Sequence, residues 1–175
     1  MTVAALEPAP DYAEAFEAWR VWRVVRHDGE LALASVVKRT VWPAGEPLAA
    51  ECLKALPLFD WLRRRQPHAA PEPRCECGIY AAGLDCVRSY LTDALPDARA
   101  RVIGRVALWG SVVECERGFR ASYAYPIALY VPLPARGRPR RAIEEIAEAL
   151  RRYDVPVQVL RIDRSDIGGL LHALG

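Results

Sequence analysis

Apolar and polar positions alternate along several stretches of the chain with the period of a β-strand. The clearest stretch is 101–116, where Val102, Val106 and Leu108 alternate with other residues. Apolar runs on both sides of Asp28-Gly29 predict a β-hairpin over 19–37, because Asp-Gly favours a tight hairpin turn. Residues 119–130 predict one or two further strands broken at Pro126. This pattern predicts a twisted sheet or small barrel.

Helical spacing of apolar residues appears in four other stretches. These are residues 12–19, 48–56, 84–94 and 142–153. Pro47 can open the second of these helices, which would place Cys52 on it. A strand over 157–162 and a short helix from Asp166 complete a C-terminal helix-strand-helix element.

A Pro/Gly/Arg-rich segment precedes that element. We therefore expect a β-rich domain over 1–133, a linker over 134–141 and a tail over 142–175. Gly110 lies inside the longest predicted strand, where a glycine often marks a bend or bulge.

Residues 66–78 contain three prolines and no apolar periodicity, which predicts an irregular loop. His68, Cys75 and Cys77 lie in this loop, with Cys52 upstream and Cys86 downstream. Three thiolates and one imidazole form a complete tetrahedral donor set for zinc. The preferred metal ligands are Cys52, His68, Cys75 and Cys77, with Cys86 as the substitute if Cys52 points into the core. The alternative is that the cysteines are ordinary core residues and the histidine faces solvent.

The pattern as a whole predicts an α+β fold: a mainly antiparallel, partly barrel-like sheet with a zinc-closed loop and the C-terminal helix-strand-helix element. A zinc ion with four protein ligands is structural, whereas a catalytic zinc keeps one position open for water. The favoured function is therefore a non-enzymatic binding or regulatory domain stabilised by structural zinc, with an unknown ligand or protein partner. The enzyme alternative is a metal-dependent hydrolase with three protein ligands, using Glu76 or Glu114 as acid/base.

A second group of polar and aromatic residues falls on the strands between 101 and 130. Glu114 and Glu116 have same-face spacing, and aromatic and arginine side chains lie nearby in the sequence. The residues of this candidate binding surface are Trp109, Glu114, Glu116, Arg120, Tyr123 and Tyr125. A solvated strand face with an Arg–Glu cross-strand pair explains the same pattern.

The linker offers a third candidate. Arg136-Gly137-Arg138-Pro139 resembles the AT-hook, whose arginines enter the minor groove of A·T-rich DNA, so Arg136 and Arg138 are candidate nucleic-acid contacts. This makes a nucleic-acid-binding module an alternative function. An ordinary interdomain linker would carry the same residue types.

Composition says more about the cellular location and the source of the protein than about its activity. A formal net charge of +2 does not by itself imply a polyanionic partner. Five cysteines without a secretory signal favour reduced thiols or metal ligands over a disulfide framework, and no apolar segment is long enough to span a bilayer. We therefore expect a cytoplasmic protein with no membrane partner. The absence of Asn and the abundance of Arg, Ala and Pro suggest a GC-rich bacterial genome.

Two blocks of sequence resemble those of small uncharacterised bacterial proteins. The first comprises His68-Ala69-Ala70-Pro71 and the segment from Cys75 to Ala81, and the second runs from Leu108-Trp109-Gly110 through Glu114, Glu116 and Arg120 to Pro126. The resemblance covers roughly residues 19–126. It implies a recurrent domain and transfers no mechanism, and the tail from Arg136 onward falls outside it.

Overall fold

The computed structural model describes residues 15–38, 40–52, 68–84, 86, 101–134 and 140–162. Strands dominate this part of the chain, as the alternating pattern predicts. The strands are β1 (Phe16–His27), β2 (Glu30–Ser35), β3 (Leu48–Ala49), β4 (Ile79–Ala82), β5 (Arg101–Cys115), β6 (Gly118–Pro134) and β7 (Val157–Ile162). Helix α1 (Arg140–Leu150) is followed by a 3-10 turn over Arg151–Tyr153.

The strands form one mixed sheet that is antiparallel except for the parallel pair β6–β7. Strands β1, β4, β6 and β5 close a ring, because β1 and β6 each pair with both β4 and β5. The contact between β1 and β4 is a single residue pair, Trp19 with Ala82. The mainly antiparallel sheet is thus confirmed, and a barrel-like closure beyond this ring of strands stays a prediction.

The predicted N-terminal hairpin is confirmed as β1 and β2. Asp28 and Gly29 both adopt positive φ, of 49° and 84°, as a two-residue hairpin turn requires. The helix predicted over 12–19 is wrong for its described part, because the chain is already a strand at Phe16. Antiparallel pairing with β5, which places Phe16 opposite Leu108, overrides the local helical spacing.

Strands β5 and β6 form the longest hairpin of the sheet. The predicted break at Pro126 is wrong, since β6 continues through it. A register shift places Pro126 opposite Val106 and Ala128 opposite Arg105, and a β-bulge of this kind tolerates a residue that cannot donate a hydrogen bond. The bulge expected at Gly110 is present: the register shifts between Trp109 and Val112, and Gly110 has a φ of 73°.

Strand β3 replaces the start of the helix predicted over 48–56. Leu48 and Ala49 pair with Ala124 and Tyr123 of β6, so this prediction is wrong at those positions. Cys52 therefore follows a strand and does not lie on a helix in the described segment. Residues 53–67 lie outside the described residues, and so does most of the helix predicted over 84–94.

The C-terminal part packs against the sheet. Helix α1 begins two residues before its predicted start and buries Ile143, Ile146 and Leu150 in the same apolar core as Trp22 and Trp42. Strand β7 spans the predicted residues 157–162. The terminal helix predicted from Asp166 lies outside the described residues. The proposed domain boundaries stay a prediction.

The hydroxyl group of Tyr153 fastens α1 and its 3-10 turn to the sheet. It accepts a hydrogen bond from the backbone N–H of Leu33 and donates one to the carbonyl oxygen of Trp42, each at 2.8 Å. Tyr153 is 1% exposed. In the part of the chain that the structure describes, no helix is long and apolar enough to cross a membrane.

Candidate metal centre

Four side chains with metal-binding atoms converge beside the sheet. They are Cys52, His68, Cys75 and Cys77, and their ligand atoms all lie within 4.8 Å of one another. We call this group the Cys/His cluster. Cys75 and Cys77 are buried, whereas Cys52 and His68 are half-buried. The cluster could hold a metal ion.

Two distances inside the cluster are close to the edges of a tetrahedral zinc site. Bond lengths of about 2.3 Å to sulfur and 2.0–2.1 Å to nitrogen give S···S edges of about 3.8 Å and S···N edges of about 3.6 Å. The Sγ atoms of Cys52 and Cys75 are 3.8 Å apart, and Sγ of Cys77 lies 3.4 Å from Nε2 of His68. The first distance also excludes a disulfide bond between that pair.

Strands β3, β4 and β6 position the four residues of the cluster. Cys52 follows β3, whose exit is fixed by a 2.7 Å hydrogen bond from the N–H of Ala50 to the carbonyl oxygen of Ser122 on β6. Cys77 lies two residues before β4. On the loop between these strands, the hydroxyl of Ser122 donates to the carbonyl oxygen of Ala70 at 2.9 Å, two residues after His68. The loop is thus anchored to β6 on both sides of the cluster.

A tight turn brings Cys75 and Cys77 together. The N–H of Cys75 donates to the carbonyl oxygen of Glu72 at 2.9 Å, and the N–H of Glu72 donates to Sγ of Cys77 at 3.3 Å. Gly78 then leads into β4 with a φ of 115°, where a Cβ atom would lie 3.0 Å from Cβ of Pro71. Both its conformation and the tight space favour glycine at this position.

The electrostatic environments of the two buried thiols differ. Burial makes the largest single contribution at Cys75 and raises its pKa, but hydrogen bonds from the backbone of Cys77 and from the other three cluster side chains outweigh it and lower the pKa to about 7. At Cys77, burial raises the pKa, and the neighbouring thiolates add to that rise. Of these two buried thiols, Cys75 gives up its proton more readily, as a metal ligand must.

Arg120 of β6 donates hydrogen bonds to the loop that carries the cluster. It is 6% exposed, and its Nη1 atom donates to the carbonyl oxygens of Cys75 and Cys77, the latter at 3.0 Å. Its guanidinium also lies 5.8 Å from the ring centroid of Tyr80. A cation that satisfies the carbonyls next to two ligands fixes their orientation and offsets the negative charge of the thiolates.

The other cysteines of the described residues lie outside the cluster. Cys115 ends β5, and its Sγ is 3.3 Å from the carbonyl oxygen of Gly118. Cys86 is not part of the cluster, whereas Cys52 is.

The residues of the second predicted surface are placed in different surroundings. Trp109 and Tyr123 face each other across the β5–β6 hairpin and stack with ring centroids 6.1 Å apart. Glu114 is exposed and pairs with Phe119, and Glu116 lies exposed in the hairpin turn. Arg120 points to the opposite face from Glu114, because neighbouring positions on a strand alternate. The structure does not bring these two residues into a pocket.

Tyr125 takes part in the packing of the tail instead. Its hydroxyl donates to the carbonyl oxygen of Tyr153 at 2.9 Å and accepts from the N–H of Gly45 at 2.7 Å. The candidate nucleic-acid contacts Arg136 and Arg138 lie outside the described residues.

Sequence reasoning missed three residues that support the loop. The spacing places Arg120 on the hairpin surface, and no sequence pattern points to Ser122 or Glu72. Strand alternation could have identified Arg120. Arg120 lies an odd number of residues from Tyr123 and Tyr125, so its side chain faces the opposite side of the strand. Nothing in the sequence marks Ser122 or Glu72 as a partner of the loop.

We compared the chain with protein-family models, curated proteins and solved structures, and none of them matches it.

Proposed function

We propose that the Cys/His cluster binds one structural zinc ion and that the protein is a non-enzymatic binding or regulatory domain. The observation that carries this proposal is the convergence of three thiol groups and one imidazole within 4.8 Å. Thiolate and imidazole are the donors that zinc prefers in tetrahedral sites, whereas magnesium and calcium prefer oxygen.

The position of the cluster supports a structural role for the ion. The loop over 68–78 contains no strand or helix, and the apolar group around Cys75 and Cys77 is small and separate from the main core. Such a segment gains stability from a bound ion, because an ion that binds only the folded state adds its binding free energy to folding. Zinc would fix the entry to β4, which closes the ring of strands.

The donor count supports a non-catalytic role. Four protein ligands fill a tetrahedral coordination shell and leave no position for an activated water. Glu114, one of the two acid/base candidates of the enzyme alternative, does not belong to the cluster. It lies on β5 and faces the opposite side of the β5–β6 hairpin from Arg120, which holds the loop.

Zinc content and thermal unfolding test this proposal. We expect about one zinc per chain by elemental analysis, and a Tm that falls on chelation. At free zinc near 1,000 times Kd, the ion stabilises the fold by about 4 kcal/mol, which corresponds to a Tm change of about 8–16 °C in a chain of this size.

Two matched variants locate the ion. Cys75→Ser should lose zinc and reproduce the low Tm of the chelated protein. Cys115→Ser changes a cysteine outside the cluster and should keep the full zinc content. Protein prepared without chelator that contains no zinc, or a Cys75→Ser variant that retains it, would refute the proposal.

A further inference from the structure

A cavity of about 670 Å³ adjoins the Cys/His cluster. Its walls come from β1, the turn after β2, β3 and β4, and its volume falls within the range of about 300–1,000 Å³ that is typical of small-molecule sites. Most of its wall is apolar, with side chains such as Trp19, Val21, Val36, Leu48 and Ile79. A ligand of this cavity must therefore have a largely apolar body.

Sequence neighbours of the cluster residues line one end of this cavity. Glu51, Glu76 and Gly78 all line it, and each is next to a cluster cysteine in the sequence. The two carboxylates give this end a negative character. An anionic group of a ligand would be repelled from here.

The far end of the cavity is basic. Strand β4 leads away from Gly78 to Ala82, which pairs with Gly118, the neighbour of Arg117. Arg117 lines the cavity, is exposed, and forms no ion pair with any residue that the structure describes. Four residues of strand separate the two ends by roughly 13 Å. Lys38, on the turn after β2, adds a second exposed cation to the rim.

We propose that this cavity binds a small, largely apolar molecule with one anionic group, and that the anionic group is held by Arg117 at the end remote from the cluster. The inference rests on the proposed function and deepens it, because a zinc ion in the cluster would fix the wall that carries Glu51 and Glu76. The stretch of residues 48–52 and the loop before β4 contribute both to the cluster and to the cavity, so a ligand and the metal would share one supporting structure.

A pair of fluorescent probes tests this proposal on the full zinc-loaded chain. Anilinonaphthalene sulfonate has an aromatic body with one sulfonate, and N-phenylnaphthylamine has the same body without charge. We expect saturable binding of the sulfonate at one molecule per chain, with an affinity about tenfold above that of the neutral probe. A charge-assisted hydrogen bond supplies a difference of this size.

Three variants connect the binding to the cavity. Ala49 is exposed at the cavity wall, so Ala49→Trp should fill the site and abolish the binding of both probes. Arg117→Ala should lower the affinity for the sulfonate to that for the neutral probe and leave the neutral probe unaffected. Arg141→Ala removes an exposed arginine of α1 that does not line the cavity, and should change neither affinity.

Zinc content and Tm, measured on the same samples, separate the outcomes. A folded protein with one zinc per chain and no saturable probe binding would overturn this inference and leave the structural zinc intact. Equal affinities for the two probes, or sulfonate binding unchanged by both Ala49→Trp and Arg117→Ala, would also overturn it. Absence of zinc from all preparations would refute the proposed function itself.

Discussion

A buried arginine is costly unless its hydrogen-bond donors are satisfied, and Arg120 is satisfied by the loop that carries the cluster. Its partners are backbone carbonyls of the ligand residues, so the cation acts on the site without being a ligand. A zinc ion with three thiolates and one neutral imidazole has a net charge of −1, and the guanidinium offsets it. At the residue scale, the candidate metal centre therefore depends on a strand residue remote in sequence.

Replacement of Arg120 tests this dependence. Arg120→Met keeps an unbranched side chain but leaves the carbonyls of Cys75 and Cys77 without their donor. We expect a loss of about 2–4 kcal/mol in the free energy of unfolding and of about 10–100-fold in zinc affinity. Urea denaturation and competition with a chromophoric chelator measure the two effects. Arg141→Met, on the exposed side of α1, should stay within about 0.5 kcal/mol of the parent, and an equally small effect of Arg120→Met would contradict this role.

The lowered pKa of Cys75 predicts a thiol titration in the metal-free protein. The ordinary value is 9.0 and the folded value is about 7, so one thiol should ionise near neutral pH. Since the folded pKa is the lower one, the contribution of Cys75 to stability is fully present above pH 9 and is lost as the pH falls through about 7. Thiolate absorbance should show the step, Cys75→Ser should remove it, and Cys115→Ser should leave it. Ionisation of all thiols near 9 would contradict the assignment.

At the scale of elements, β6 is the strand that connects the parts of the molecule. It pairs with β3, β4, β5 and β7, and its residues Arg120 and Ser122 hold the loop of the cluster. The same strand carries Tyr125, which contacts the 3-10 turn after α1. The loop of the cluster and the C-terminal part are therefore both attached to β6.

The attachment of the C-terminal part rests on Tyr153. Tyr153→Phe removes one hydroxyl and leaves the buried N–H of Leu33 and the carbonyl of Trp42 without a partner. We expect a loss of about 2–3 kcal/mol in the free energy of unfolding, measured by chemical denaturation. Tyr130→Phe is the matched control. The hydroxyl of Tyr130 forms no hydrogen bond with any residue that the structure describes, and its ring stacks on Trp19. Equal effects of the two substitutions would show that the hydroxyl of Tyr153 is not what fastens this part.

At the scale of the whole molecule, the sequence predicts those features that depend on local pattern. The Asp28-Gly29 turn, the alternation along β5 and the apolar spacing of α1 are local, and the structure contains all three elements. The convergence of Cys52 with His68, Cys75 and Cys77 was also predicted, from donor chemistry. The strand at Phe16, the strand at Leu48 and the continuation through Pro126 depend on pairing with distant partners, which a local pattern does not contain.

The absence of long-range information in the local pattern also explains why the residues of the second predicted surface lie on different faces of the sheet. Spacing along β5 and β6 identified polar residues of suitable chemistry, but not which face of the sheet the loop would cover. Arg120 is buried because the loop lies on its face, and Glu114 is exposed because it lies on the other. The cavity beside the cluster is formed by five separate segments of the chain, and no sequence motif marks it.

The coordination shell of the bound metal is the most direct test of the account. X-ray absorption at the zinc edge of the purified full chain counts the ligands and measures their distances. The account predicts three sulfur atoms at about 2.3 Å and one nitrogen atom at about 2.0–2.1 Å, with no oxygen ligand. A shell that contains a water oxygen and fewer sulfur atoms would contradict the closed structural site and would favour a catalytic zinc.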